Sequence, residues 1–193
     1  MIFSELIYLI NSDLYRYSGK TNLKLFLKHL LTQKAFKVSF WYRISRFFYL
    51  NNNKVMLLFS KIIYKQYQEK FCIDLSYKTA IGSGLCLRHV FGIAINDDAI
   101  IGNNVEICQN VTIGATPRGN RKGTPVIKDN VLLAPGCVVI GNISVGNNVI
   151  IGANTVVIKD APDNSVLSGI PSEIISEKGS DGYIKNIDYK DKI

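Results

Sequence analysis

Histidine is scarce in this chain: His29 and His89 are the only two in 193 residues. A catalytic zinc held by three histidines, as in carbonic anhydrases, therefore cannot form. The four cysteines (Cys72, Cys86, Cys108, Cys137) show no CxxC pairing and no neighbouring histidine cluster. They read as small buried side chains suited to a reducing cytoplasm, and no metal is expected. No apolar run reaches the roughly 18 residues a spanning helix needs. The start, MIFSELIYLI, carries Glu5 and lacks a basic n-region and a cleavage site, so it is not read as a signal peptide. Acidic residues are few at one end. Residues 1–70 hold twelve Lys/Arg against Glu5, Asp13 and Glu69, a balance of +9, whereas residues 71–193 balance at −1. The formal charge of +8 thus belongs to the N-terminal segment. No recognisable nucleic-acid motif accompanies it, so nucleic acid is not expected as a partner.

What the chain has in abundance is a period. From about Ile81 to Val157 an aliphatic residue returns every sixth position: Ile81, Leu87, Ile93, then Ile101, Ile107, Ile113, then Ile127, Leu133, Val139, Val145, Ile151, Val157. A helix does not give period six and a simple strand gives period two. The pattern is a hexapeptide repeat, the mark of a parallel β-helix. Each unit lays down one short strand and one turn, three units close a triangular coil, and the aliphatic residues stack inside. The phase slips by eight between Ile93 and Ile101 and by fourteen between Ile113 and Ile127. Such slips mark loops leaving the prism, which in repeat proteins often build the binding face.

Three segments follow: a helical segment at 1–70, the β-helix domain at 71–175, with its prism at 81–168, and a polar tail at 176–193, expected to be extended or partly disordered. Helices are expected at Glu5 to Leu14, Leu23 to Leu31, Phe36 to Leu50 and Lys54 to Lys70. Ser18-Gly19 and Asn51-Asn52-Asn53 divide them. Val55, Leu58, Phe59, Ile62 and Ile63 share one stripe of the last. The basic-aromatic run FKVSFWYRISRFFYL supports two readings, helix packing or a membrane-surface patch.

His29 sits mid-helix and reads as structural. His89 occupies a turn of the coil, where a side chain points outward and an imidazole can act as general base near neutral pH. Asp74 lies fifteen residues earlier, close to the length of one coil. It is expected one coil below, bonded to the imidazole so as to fix its tautomer.

At this point the chain resembles the hexapeptide-repeat acyltransferases, within them the serine acetyltransferase-like branch. The matching stretch runs from about Phe71 to Ile175. It includes FCIDLSYKTAIGSGLCLRHVFGIAI, IGNNVEICQNVTIG and the closing IGANTVVIKDAPDNSVLSGIPSEII. The resemblance implies a mainly β, left-handed parallel β-helix with a small N-terminal α-helical segment. It implies a homotrimer or a dimer of trimers, acetyl-CoA as co-substrate bound between prisms, His89 as general base and Asp74 as its partner. Gly114, Ala134, Gly152 and Ala153 would leave room for the pantetheine arm, and Lys159 matches a basic position near the CoA phosphates. The loop Ala115 to Val126 carries Arg118, Arg121 and Lys122, suited to an anionic acceptor or the CoA phosphates.

The likeness departs at two places. Serine acetyltransferases carry an Asp before the catalytic histidine and a GDRHP-like loop; here stand Arg88 and RKGTP, Arg121 to Pro125. An acid that would meet the serine ammonium has become a cation. The expectation drawn from this is an O-acetyltransferase acting on a sugar hydroxyl of a capsular, exopolysaccharide or O-antigen glycan, resembling the colanic-acid and capsular type. Arg88, Arg118, Arg121 and Lys122 would contact that acceptor at the inner face of the membrane, against residues 1–70. The alternatives are a serine O-acetyltransferase of cysteine biosynthesis, an amino-sugar N-acetyltransferase and a purely structural β-helix.

Overall fold

The computed structural model describes residues 1–193. Four helices come first: α1 (Phe3–Ser18), α2 (Leu23–Thr32), α3 (Lys34–Leu50) and α4 (Lys54–Phe71). Their limits follow local chemistry. The Asn22 side chain accepts the Leu25 N–H at the start of α2, and Asn53 accepts that of Met56 at the start of α4. Gly19 ends α1 in the left-handed conformation (φ 67°). None of the helices is long and apolar enough to cross a membrane.

The remainder winds into a three-faced parallel β-helix. Face 1 stacks β1 (Asp74–Leu75), β4 (Ala94–Ile95), β7 (Thr112–Gly114), β10 (Val138–Ile140) and β13 (Val156–Val157). Face 2 stacks β2 (Ala80–Ile81), β5 (Ile100–Ile101), β8 (Val126–Ile127) and β11 (Ser144–Val145). Face 3 stacks β3 (Cys86–Leu87), β6 (Glu106–Ile107), β9 (Leu132–Leu133), β12 (Ile150–Ile151) and β14 (Val166–Ser168). The antiparallel β15 (Glu173–Ser176) closes it. Register places like on like: Ile81 pairs Ile101, Ile101 pairs Ile127, Ile127 pairs Val145. Face 3 aligns Leu87, Ile107, Leu133, Ile151 and Leu167. All of these are buried, and each such side chain contributes roughly 1.5–3 kcal/mol over exposure.

One member of the expected frame is displaced. On face 1 it is Ile95, not Ile93, that aligns with Leu75 and Ile113. The slip of eight therefore falls between Leu87 and Ile95. The two extra residues lie in the corner that carries His89.

Helices and prism share one core. The main cluster of 32 buried residues runs from Ala35, Val38, Tyr42 and Tyr64 into the coil columns. The basic-aromatic run forms α3, the central helix. Phe36, Tyr42 and Arg43 are fully buried, and Phe40, Ile44 and Phe47 pack on the Leu6, Ile10, Leu14 cluster. Its aromatics thus serve helix packing, the first of the two readings of that run. The α4 stripe turns outward: Val55, Leu58, Phe59 and Ile62 are exposed, while Ser60, Tyr64 and Phe71 are buried. Cys72 is also exposed, unlike Cys86, Cys108 and Cys137.

The tail departs most from expectation. After β15 it runs down the edge between faces 2 and 3. Ser180 donates to the Asn130 carbonyl, Ile184 is buried, and Tyr189 is 1% exposed. Along that edge Asn104, Asn130, Asn148 and Asn164 form an amide ladder with steps of 2.9, 3.0 and 3.0 Å. Tyr189 donates to the end of it, Asn104 Oδ1, at 2.6 Å. A polar composition concealed an ordered strap because its partners are amides and carbonyls of the prism.

Candidate active site

The corners between faces 3 and 1 stack into one edge: Arg88 to Gly92, then Gln109-Asn110, Pro135-Gly136 and Ala153-Asn154. Backbone bonds tie them together: Asn110 N–H to Phe91, Gly136 N–H to Gln109 and Asn154 N–H to Pro135. His89 stands at the lowest corner, exposed, with φ 49°. That left-handed conformation is uncommon outside glycine and costs on the order of 1 kcal/mol or more. The enclosing corner holds it, and the imidazole forms no hydrogen bond within the chain. A cleft of about 560 Å³ opens beside it, bounded by Lys34 and its neighbours at the α2–α3 junction and by Phe71, Arg88 and Phe91. A second cleft of about 470 Å³ between α1, α2 and α3 has no titratable lining residue and holds no reaction chemistry.

Arg88 is the first polar group behind His89. Its Nε donates to Glu106 Oε1 at 2.9 Å. Glu106 Oε2 accepts from Arg16 Nη2 at 2.9 Å, and Arg16, wholly buried, donates further to the carbonyls of Gly84 and Lys185. Burial opposes the Arg88 charge, but Cys86 and Glu106 outweigh it and its pKa lies above the ordinary value. Burial, with Glu106 adding to it, pushes the Cys86 thiol up to about 12, so Cys86 is inert. Glu106 and Gln109 escaped sequence reasoning. Glu106 precedes a core isoleucine and looked like an ordinary strand residue. Gln109, one coil above His89, keeps a buried Oε1 without a partner.

The expected site residues separate into two groups. Ala134, Gly152 and Ala153 lie above His89 on the same edge. Gly114, Lys159 and the loop with Arg118, Arg121 and Lys122 lie on the edge between faces 1 and 2. That loop is a hairpin closed by reciprocal Thr116–Gly123 backbone bonds of 2.9 and 3.0 Å, with Arg121 Nη1 4.0 Å from Asp160. Asp74 is exposed on β1, and no hydrogen bond joins it to His89. The reason is the coil length here: Asp74 aligns with Ala94, twenty residues on, so His89 falls in the preceding corner instead of directly above.

Known proteins share the repeat and the fold. The family model "Bacterial transferase hexapeptide (six repeats)" matches residues 124–159. A serine acetyltransferase of Buchnera aphidicola subsp. Schizaphis graminum is 34% identical over 197 aligned positions, covering 99% of this chain and 73% of the relative. The chain belongs to the serine acetyltransferase family. The Salmonella typhimurium serine acetyltransferase is 32% identical over 152 residues, 79% of this chain. The chain spans only 55% of that relative's length. A solved serine acetyltransferase in complex with CoA superposes with a TM-score of 0.74 at 28% identity, covering 90% of this chain and 70% of the other.

This family membership overturns the expected glycan acceptor and the capsular branch. The expectation took Arg88 as a bare inversion of charge. In the structure Arg88 is paired with Glu106, so a carboxylate is still present one coil above, although turned inward.

Proposed function

We propose that the chain transfers the acetyl group of acetyl-CoA to the hydroxyl of L-serine, with His89 as general base. The observation that carries this is His89 itself: an exposed, unpartnered imidazole fixed on the edge of a prism whose relatives are serine acetyltransferases. One imidazole nitrogen takes the hydroxyl proton as the oxygen attacks the thioester carbon. The tetrahedral oxyanion collapses, the C–S bond breaks, and the imidazolium returns the proton to the leaving thiolate, giving O-acetylserine and CoA.

Acetyl-CoA runs along the His89 edge in this reading, where the small side chains of Ala134, Gly152 and Ala153 leave room for the pantetheine arm. Gly114, Lys159, Arg118, Arg121 and Lys122 occupy another edge, so they serve such a site only from a neighbouring copy. A homotrimer that sets one prism's His89 edge against the next prism's loop edge brings both sets together. The exposed free thiol of Cys72 suits a reducing, cytoplasmic setting.

The test is product identity. Incubation with acetyl-CoA and L-serine is expected to yield O-acetylserine by mass, with one equivalent of free CoA thiol. Binding of acetyl-CoA without any acetylated serine would remove serine as the acceptor.

A further inference from the structure

We infer that Arg88 selects the acceptor by gripping an anionic group, a carboxylate, and that Glu106 and Arg16 hold it ready. The inference rests on the proposed acyl transfer at His89 and adds how the acceptor is chosen.

The charges around Arg88 do not cancel. Two guanidinium groups share the single carboxylate of Glu106, through Oε1 to Arg88 and Oε2 to Arg16. The surplus positive charge has one outlet. Arg16 is 0% exposed, whereas the Arg88 side chain is 41% exposed and opens on the cleft beside His89. Only the Arg88 Nε is used inside the chain, so both terminal nitrogens remain without partners there. A guanidinium anchored at Nε presents its outer N–H groups in a fixed fork, the geometry that matches a carboxylate. The cleft contains no Asp or Glu, and its other charged lining residue is Lys34. Each feature favours an anion close to the general base. Arg88 and His89 are adjacent in the chain, so a compact molecule bearing a hydroxyl and a carboxylate can meet both. Glu106 touches no substrate; it is a positioning residue.

Three acceptors of matched size test this: L-serine, 3-hydroxypropionate (hydroxyl and carboxylate without the amine) and L-serinamide (hydroxyl and amine without the carboxylate). CoA thiol release is measured for the wild type, Arg88→Gln and Glu106→Gln. The wild type is expected to favour L-serine over L-serinamide by about 10–100-fold in kcat/KM, a discrimination within reach of one buried polar contact. Arg88→Gln is expected to erase that preference, chiefly by raising the serine KM. Glu106→Gln is expected to raise the serine KM while leaving the acetyl-CoA KM unchanged, a split that a general loss of structure would not give. Equal use of serine and serinamide by the wild type overturns the Arg88 inference and leaves serine acetylation standing. Turnover of 3-hydroxypropionate but not L-serine overturns serine as acceptor and leaves the Arg88 inference standing. Turnover of neither carboxylate overturns both.

Discussion

Arg43 grips Asp13 through two hydrogen bonds of 2.9 Å, with both residues buried where α1 and α3 meet the first coil. Asp13 also accepts the Leu85 N–H at 2.8 Å, and Arg43 donates to the carbonyls of Ile81 and Gly82 at 2.8 and 2.6 Å. The pair thus fastens the helices to the backbone of the prism. Arg43→Met leaves Asp13 buried without its cation, which costs about 3–5 kcal/mol. For a chain of this size that lowers the Tm by roughly 6–20 °C. Thermal unfolding checks it, and the double variant Asp13→Leu/Arg43→Met is expected to recover only part of the loss, because the Leu85 N–H and the Ile81 and Gly82 carbonyls lose their partners.

The tail carries a second fastening. Tyr189 Oη lies 2.9 Å from Ser83 Oγ and 2.6 Å from Asn104 Oδ1. Tyr189→Phe keeps the ring contacts with Tyr8 and Tyr15 but removes the donor to Asn104 Oδ1 and the bond to the Ser83 hydroxyl, a cost of about 1–3 kcal/mol. Tyr189→Ala also loses the ring and is expected to cost about 3–5 kcal/mol. If both variants unfold with wild-type midpoints, the strap is not part of the stable core.

Thiol chemistry reports on the coil columns. Cys72 is expected to react with a thiol reagent in the native protein, and Cys86, Cys108 and Cys137 only on unfolding. Burial pushes Cys86 and Cys137 up to about 12 from an ordinary 9.0. Between those values the unfolded chain has released protons that the folded chain keeps. Stability therefore falls as pH rises above about 9, by about 1.4 kcal/mol per pH unit for each thiol, and these groups have no effect below it. Denaturant midpoints measured from pH 8 to 11 test the direction; replacing Cys86 and Cys137 by Ala should lessen the decline, with Cys108 and the buried Tyr17, Tyr42 and Tyr64 keeping the remainder.

The prism was legible because one physical requirement repeats: an aliphatic side chain must fill each face of each coil, so Ile101, Ile107 and Ile113 announce three strands at once. The helices were legible from apolar spacing and from Ser18-Gly19 and Asn51-Asn52-Asn53 between them. Other features depend on contacts across long sequence separations. Ile93 fits the period as well as Ile95 does, and only the pairing with Leu75 and Ile113 distinguishes them. Glu106 gains meaning from Arg16, ninety residues away, and from Arg88 one coil below. The docking of the tail was not legible because Ile184 and Tyr189 show no period of their own. His89 lies at an exposed corner, as its place in the repeat implies, whereas the glycan acceptor inferred from Arg88 is overturned by the chain's serine acetyltransferase relatives.

The most direct test of the account compares CoA thiol release from acetyl-CoA and L-serine by the wild type and by His89→Ala, with the fold of the variant verified by its unfolding midpoint. The account predicts serine-dependent release by the wild type and a loss of at least about 100-fold in kcat for the variant, the lower range of general-base contributions. Serine-dependent release that survives in a folded His89→Ala protein would contradict it.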